Sequence, residues 1–258
     1  MKEKPVYKTW LRTNKIVVFF AVGIIFFIIA LCPINIYLRI LAGLSVMPFA
    51  YIDYILLYTY YQFAPFGKNF QSAIHNLIVA KVNWNGNGKL LDIGTGSASL
   101  IIKAAKAFPE AALTGIDYWG NNWEYSKNLC ETNAKIEAVS NRIEFIKASA
   151  SQLPFPDCEF DALISCLTFH EVKDEKNKTT VLNEAYRVLK PGGVFVFLDL
   201  FMDTEIFGDY NTFLNEARSL CTSGFEAVEL DTLLKLPGIL KNKKSLGNAV
   251  LLIGKKSL

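Results

Sequence analysis

Hydrophobic positions in this chain follow two different rules. Between residues 16 and 61 they are nearly continuous. Ile16 to Cys32 is an unbroken apolar run of about seventeen residues, rich in Ile, Val and Phe on every side, close to the shortest length that crosses a bilayer as a helix. Pro33-Ile34-Asn35 signals a turn. A second apolar stretch, Ile36 to Tyr61, is less pure, with Arg39 near its start, Pro48 in its middle and Asp53 beyond. Tyr51, Tyr54, Tyr58, Tyr60 and Tyr61 crowd its far end, as aromatic rings do at a membrane–water interface. The pattern predicts a transmembrane helical hairpin within residues 1–61, with spans at 16–32 and 36–58. A single interfacial or re-entrant helix is the alternative. Gln62 to Lys68, with Pro65 and Gly67, reads as a linker into a separate domain covering 62–258.

In that domain short apolar runs alternate with segments of helical period. Phe70, Ile74, Leu77, Ile78 and Val82 mark a helix over 69–82. Strands are predicted at 89–93, 112–116, 142–147, 162–166, 194–200, 225–230 and 249–253. Helices are predicted at 100–108, 123–138, 174–189 and 209–221. Ser97 and Ser99 offer side chains to cap the helix at 100, and Lys190-Pro191-Gly192-Gly193 stops the one ending at 189. Alternation of this kind implies a parallel sheet with right-handed crossovers, an α/β fold.

The chemistry gathers at the first strand. Lys89-Leu90-Leu91-Asp92-Ile93 runs into a turn at Gly94, Thr95 and Gly96 and then into a helix. Glycine lets backbone approach a ligand, and the helix start presents unpaired N–H groups. The next strand ends in Asp117, where an acid can hold both hydroxyls of a ribose. Strand, glycine turn, helix, strand and acid describe a nucleoside-binding half-fold.

Two later stretches point further. Leu153-Pro154-Phe155-Pro156-Asp157, followed by Phe160-Asp161-Ala162-Leu163-Ile164-Ser165, and then Asn183-Glu184-Ala185-Tyr186-Arg187-Val188-Leu189-Lys190-Pro191-Gly192-Gly193, resemble class I S-adenosylmethionine-dependent methyltransferases, in particular the small-molecule "type 11"-like group. The resemblance covers residues 70–201 well, the C-terminal part loosely and the first sixty residues not at all. It implies a Rossmann-like, seven-stranded, mostly parallel sheet with helices on both faces and the last strand antiparallel. It also implies S-adenosyl-L-methionine as cofactor. Gly94, Thr95 and Gly96 would then lie under the methionine part, Asp92 would orient its amino group, and Asp117 would take the ribose hydroxyls. Tyr118 would contact the adenine face, Ser149 and Ala150 its edge, and Ser165 and Cys166 the methionine chain. Two positions depart from the group's pattern: Ala98 replaces a third glycine and Ser149 replaces an aspartate, which implies weaker binding than usual.

Methyl transfer asks the protein to align a nucleophile with the S–CH3 bond and exclude water. An acceptor with an O–H or protonated N–H also needs a base. His170 follows the fourth strand and is the candidate, since histidine titrates near neutral pH; the equal alternative is that it only shapes the pocket. His75, on the helix over 69–82, is read as structural or surface.

Composition narrows the field. The 258 residues carry a net charge of +3, with no concentrated basic face for nucleic acid. Five cysteines, Cys32, Cys130, Cys158, Cys166 and Cys221, are scattered and odd in number, which supports neither a disulfide framework nor a zinc site. With two histidines in all, no protein-held metal is expected. A basic N-terminus (Lys2, Lys4, Lys8, Arg12 and Lys15) should stay cytoplasmic, and two spans would return the domain to that side. The expected acceptor is a small molecule, lipid-like or quinone-like, since a tether puts the pocket beside the bilayer. Two rivals remain: a nicotinamide-dependent oxidoreductase, which wants glycine where Ser99 stands, and a tethered cofactor-binding module without catalysis.

Overall fold

The computed structural model describes residues 3–120, 125–243 and 245–257, with backbone alone at 222 and 223. The chain forms two compact units. One is Lys8–Gln71, and the other joins Met1–Tyr7 to Ser72–Leu258.

The smaller unit is built on two helices, α1 (Thr13–Leu31) and α2 (Ile36–Phe63). Asn35 caps α2 by accepting the Tyr37 N–H at 2.9 Å, and Arg39 Nε donates to the Ala30 carbonyl at the end of α1. The helices pack side by side: Phe49 stacks on Phe26 at 5.5 Å and lies over Gly23. Both are long and apolar enough to cross a membrane. Val17, Phe20, Ile24 and Ile28 on α1, and Leu41, Leu44 and Met47 on α2, are exposed. Pro48 lies inside α2, and the helix continues to Phe63, so Gln62 and Phe63 are helical where a linker was expected.

α3 (Phe70–Lys81) leads into the larger unit. There a seven-stranded sheet has the order β3-β2-β1-β4-β5-β7-β6. Its strands are β1 (Lys89–Ile93), β2 (Ala112–Asp117), β3 (Ile143–Lys147), β4 (Phe160–Cys166), β5 (Leu189–Asp199), β6 (Cys221–Glu229) and β7 (Val250–Lys256). The first five pair in parallel and β7 is antiparallel to both neighbours. This is the Rossmann-like arrangement expected. Between the strands lie α4 (Ser99–Ala107), α5 (Lys127–Ile136), α6 (Lys178–Val188), α7 (Thr204–Phe207), α8 (Tyr210–Ser219) and α9 (Leu230–Leu233).

Leu90, Leu91 and Ile93 are fully buried, because a central parallel strand is covered on both faces. Phe160, Phe169, Phe195, Phe197 and Phe201 fill the core on the β4–β5 side. Ile93 stands level with Ile116 of β2 and Ser165 of β4. The loops after those strands therefore meet at one edge, where ligands bind in such sheets.

Several element boundaries differ from expectation. Neither Ser97 nor Ser99 caps α4: the N-cap position is Ala98, in left-handed backbone at φ +67°, without a side-chain cap bond. The Ser99 hydroxyl instead meets His75 Nδ1 at 3.0 Å. α6 starts at Lys178, capped by Asn177, rather than at Asp174. α5 starts at Lys127, capped by Ser126; the predicted start at 123 lies outside the described residues. β5 begins directly at Leu189, and the Lys190–Gly193 turn is absorbed as a register shift against β4.

Candidate functional site

The turn after β1 is shaped by two close approaches. Gly94 has φ +79°, and a Cβ there would lie 1.9 Å from Thr168 Oγ1. Gly96 has φ +56°. Gly94 and Thr95 both donate their N–H to the Ile116 carbonyl, at 2.9 and 2.8 Å. The turn is thus pinned across the end of β2, and only glycine meets both demands at position 94.

Asp92 lies under that turn with 0% exposure, and neither carboxylate oxygen has a partner among the described residues. Thr95 Oγ1 is also buried and unpartnered. Burial pushes the Asp92 carboxyl up to about 7, with the Asp117 charge adding to the rise and the nearby Thr95 hydroxyl and Ile101 N–H, which make no well-formed hydrogen bond to it, opposing it only in part. A buried carboxylate costs several kcal/mol unless a cation or hydrogen-bond donors meet it. The position therefore suits an ammonium group arriving over the turn.

Asp117, at the tip of β2, accepts the Gly96 N–H at 2.9 Å on one oxygen and the Trp119 N–H at 2.8 Å on the other. Burial raises its pKa, and these backbone N–H groups oppose the rise. Each oxygen keeps a second lone pair for a diol. Trp119 returns across the turn, its Nε1 donating to the Gly96 carbonyl at 3.1 Å. Cys130 Sγ reaches the same carbonyl at 3.1 Å.

The remaining expected residues fall around this edge in different ways. Tyr118 is 65% exposed, with Lys147 Nζ 5.5 Å from its ring centre. The Ser149 hydroxyl is 2.9 Å from that of Ser151, which donates to Asp174 at 2.6 Å. Ala150 is buried in the core. Ser165 spends its hydroxyl on the Ile93 carbonyl at 2.8 Å, tying β4 to β1. Burial raises the Cys166 thiol well above its ordinary range, so it is not a thiolate nucleophile. His75 is buried and lowered to about 3 by burial, in keeping with a structural role.

After β4 the chain makes a short turn, Thr168 to Glu171, flush against the glycine turn. Thr168 Oγ1 donates to the Ile93 carbonyl at 3.0 Å. His170 follows, with its ring Nδ1 2.6 Å from Asp199 Oδ1 and Nε2 3.8 Å from Glu171 Oε1. Burial lowers the His170 pKa, but the Asp199 charge and hydrogen bond outweigh it and the net shift is upward.

Asp199 escaped the sequence reading. It ends the fifth strand as Asp117 ends the second, and the same rule about acids at strand tips would have singled it out. The Trp119 indole, bonded to the Gly96 carbonyl, and the Asn133 amide, bonded to backbone of Val6 and Ser97, left no such signal, because these partners are backbone groups distant in sequence.

Residues 91–197 match a family model described as a methyltransferase domain. The chain is 35% identical over 122 residues to the ubiquinone/menaquinone biosynthesis C-methyltransferase UbiE of Desulfotalea psychrophila, covering 47% of this chain and 45% of that protein. It is 34% identical over 133 residues to the sterol 24-C-methyltransferase erg-4 of Neurospora crassa, covering 50% of this chain and 33% of that one. The chain thus spans less than half the length of either curated relative. Among solved structures, the geranyl diphosphate C-methyltransferase of Streptomyces coelicolor superposes with a TM-score of 0.56 at 14% identity, covering 73% of this chain and 80% of the other.

Proposed function

We propose that this protein is an S-adenosylmethionine-dependent methyltransferase, held at a membrane by the α1–α2 hairpin, that methylates a small hydrophobic or lipid-like acceptor. The observation that carries the reading is Asp92, a buried carboxylate with both oxygens unpartnered beneath the Gly94–Gly96 turn. The residues present fit the cofactor. Asp92 would take its ammonium, Gly94 and Gly96 would admit its methionine part, and Asp117 would hold the ribose hydroxyls. When bound, the group supplies an activated methyl on a sulfonium. The chain's part is to orient the two reactants, exclude water and, through His170, accept a proton from the acceptor.

Two relatives named for quinone and sterol C-methylation support a hydrophobic acceptor. The division of the chain supports the hairpin. Residues 3–7 belong to the same compact unit as 72–258, while Lys8–Gln71 forms the other. The chain therefore leaves the catalytic unit before α1 and re-enters it after α2. One crossing would separate those two points across the bilayer, and two crossings keep them together. With a basic N-terminus, that side is the cytoplasm.

The test is calorimetric titration of S-adenosylmethionine and S-adenosylhomocysteine into the full-length protein in detergent. Transfer of tritium from methyl-labelled cofactor into a membrane lipid extract is then compared with transfer into an aqueous extract. Micromolar binding and label in the lipid fraction are expected. No binding would end the reading. Binding without transfer to either extract would favour a tethered cofactor-binding module.

A further inference from the structure

Asp199 is fully buried at the C-terminal end of β5, and four donors converge on it. Oδ2 accepts the N–H of Thr168 at 3.0 Å and of Phe169 at 2.7 Å. Oδ1 accepts the N–H of Leu200 at 2.7 Å and faces His170 Nδ1 at 2.6 Å. Three of the four are backbone N–H groups that can only donate, the surroundings of an accepting carboxylate. The ring nitrogen therefore donates too, and its proton sits on Nδ1. Nε2 is left with a free lone pair, 3.8 Å from the Glu171 carboxylate and beyond hydrogen-bond range. The turn carrying this ring is the one whose Thr168 lies against Gly94.

We propose that Asp199 is a positioning residue that locks His170 in the Nδ1–H tautomer, so that Nε2 deprotonates an acceptor bearing a dissociable hydroxyl, of the phenol or enol type. This rests on the methyltransferase reading above. In the step, the acceptor's O–H proton passes to Nε2. A bond forms from acceptor oxygen, or from the enolate carbon, to the methyl carbon. The S–CH3 bond breaks with its electron pair left on sulfur. The imidazolium then returns its proton to solvent. An acceptor with no such hydrogen would gain nothing from the arrangement. A carboxylate serving only to staple the turn would not care which ring nitrogen holds the proton.

The charged groups facing His170 are Asp199 from β5, Glu171 from its own turn and Lys178 from α6. The neutral ring is the active form, so turnover should rise with pH through the His170 pKa. Removing the Asp199 charge should move that limb to lower pH.

The chain has two histidines, so nitrogen-15 histidine labelling of the full-length protein in detergent gives two ring systems. His75, lowered to about 3, does not titrate in the working range. Above its pKa, His170 should show a protonated Nδ1 and a bare Nε2. In Asp199→Asn the carboxamide can donate to Nδ1, and the proton should move to Nε2. Tritium transfer into the lipid extract should fall about 100-fold or more while S-adenosylhomocysteine affinity stays within about threefold. If that variant does not fold, the wild-type tautomer and His170→Gln decide. An Nε2–H tautomer in the wild type, with S-adenosylhomocysteine still bound, would overturn the proposal alone. Loss of cofactor binding by the wild type would overturn both this and the reading beneath it.

Discussion

Asn133 grips Val6 with both ends of its amide. Oδ1 accepts the Val6 N–H at 2.8 Å, and Nδ2 donates to the Val6 carbonyl at 2.9 Å. The same Nδ2 donates to the Ser97 carbonyl at 3.0 Å, and the side chain is fully buried. One residue on, Tyr7 donates its hydroxyl to Glu137 at 3.0 Å. A single amide on α5 thus joins the segment preceding α1 to the turn that follows Gly96. Asn133→Ala would leave groups on both sides unpaired, at a cost of about 1–3 kcal/mol. The expected outcome is a lower melting temperature and weaker S-adenosylhomocysteine binding by calorimetry. Deleting residues through Tyr7 should weaken binding in the same direction. An unchanged affinity in the deletion would mean the segment does not brace the turn.

On the proposed reading, Asp92 sets the stability of the ligand-free protein against cofactor binding. Its carboxyl is raised from an ordinary 3.8 to about 7 by burial. An acid whose folded pKa is raised is ionised more readily when unfolded. Its favourable contribution is present below about pH 4 and is lost as pH climbs to about 7, on the order of 4 kcal/mol in all. Asp92→Asn should therefore raise the melting temperature of the ligand-free protein at pH 8 and change it little at pH 4. The same variant should bind S-adenosylhomocysteine at least about tenfold more weakly. In the wild type that affinity should fall as pH drops through 7, because the ammonium needs the ionised carboxylate. Parallel melting and titration series at several pH values would check each sign.

Trp119 reports on the turn. Its indole N–H is bonded to the Gly96 carbonyl, so a ligand over Gly96 should alter its fluorescence. Of the four tryptophans in the chain, Trp119→Phe should remove most of the change produced by S-adenosylhomocysteine. Affinity should drop about three- to tenfold for the lost hydrogen bond. A full response in the variant would place the ligand elsewhere.

The hairpin makes its own prediction. Ile24 is exposed in the middle of α1, and a lysine there would cost about 2.5–3.5 kcal/mol at a bilayer centre. Ile24→Lys should shift the protein from the carbonate-resistant membrane fraction toward the soluble or aggregated fraction. Reporters at the N-terminus and after Tyr61 should both read cytoplasmic in the wild type. An external reading after Tyr61 would exclude two crossings.

Local patterning determined most of the architecture. Continuous apolar runs fixed α1 and α2, because helices of that length with no polar face have few places to go. Alternating strands and helices fixed the parallel sheet, and the glycine turn with Asp92 and Asp117 marked the edge proposed for its ligand. Those signals are short-range, set by residues adjacent or one turn apart. What the tertiary structure decided is who shares hydrogen bonds across the chain. Asp199 meets His170 only because β5 lies beside β4, so that the turn after one strand falls on the tip of the other. Val6 meets Asn133 across 127 positions. Ser99 serves His75 rather than its own helix start, and Tyr118 points to solvent while its neighbour Trp119 folds over Gly96. Each is a choice between partners that look equal in sequence, made by which donors and acceptors the packed sheet brings within three ångströms.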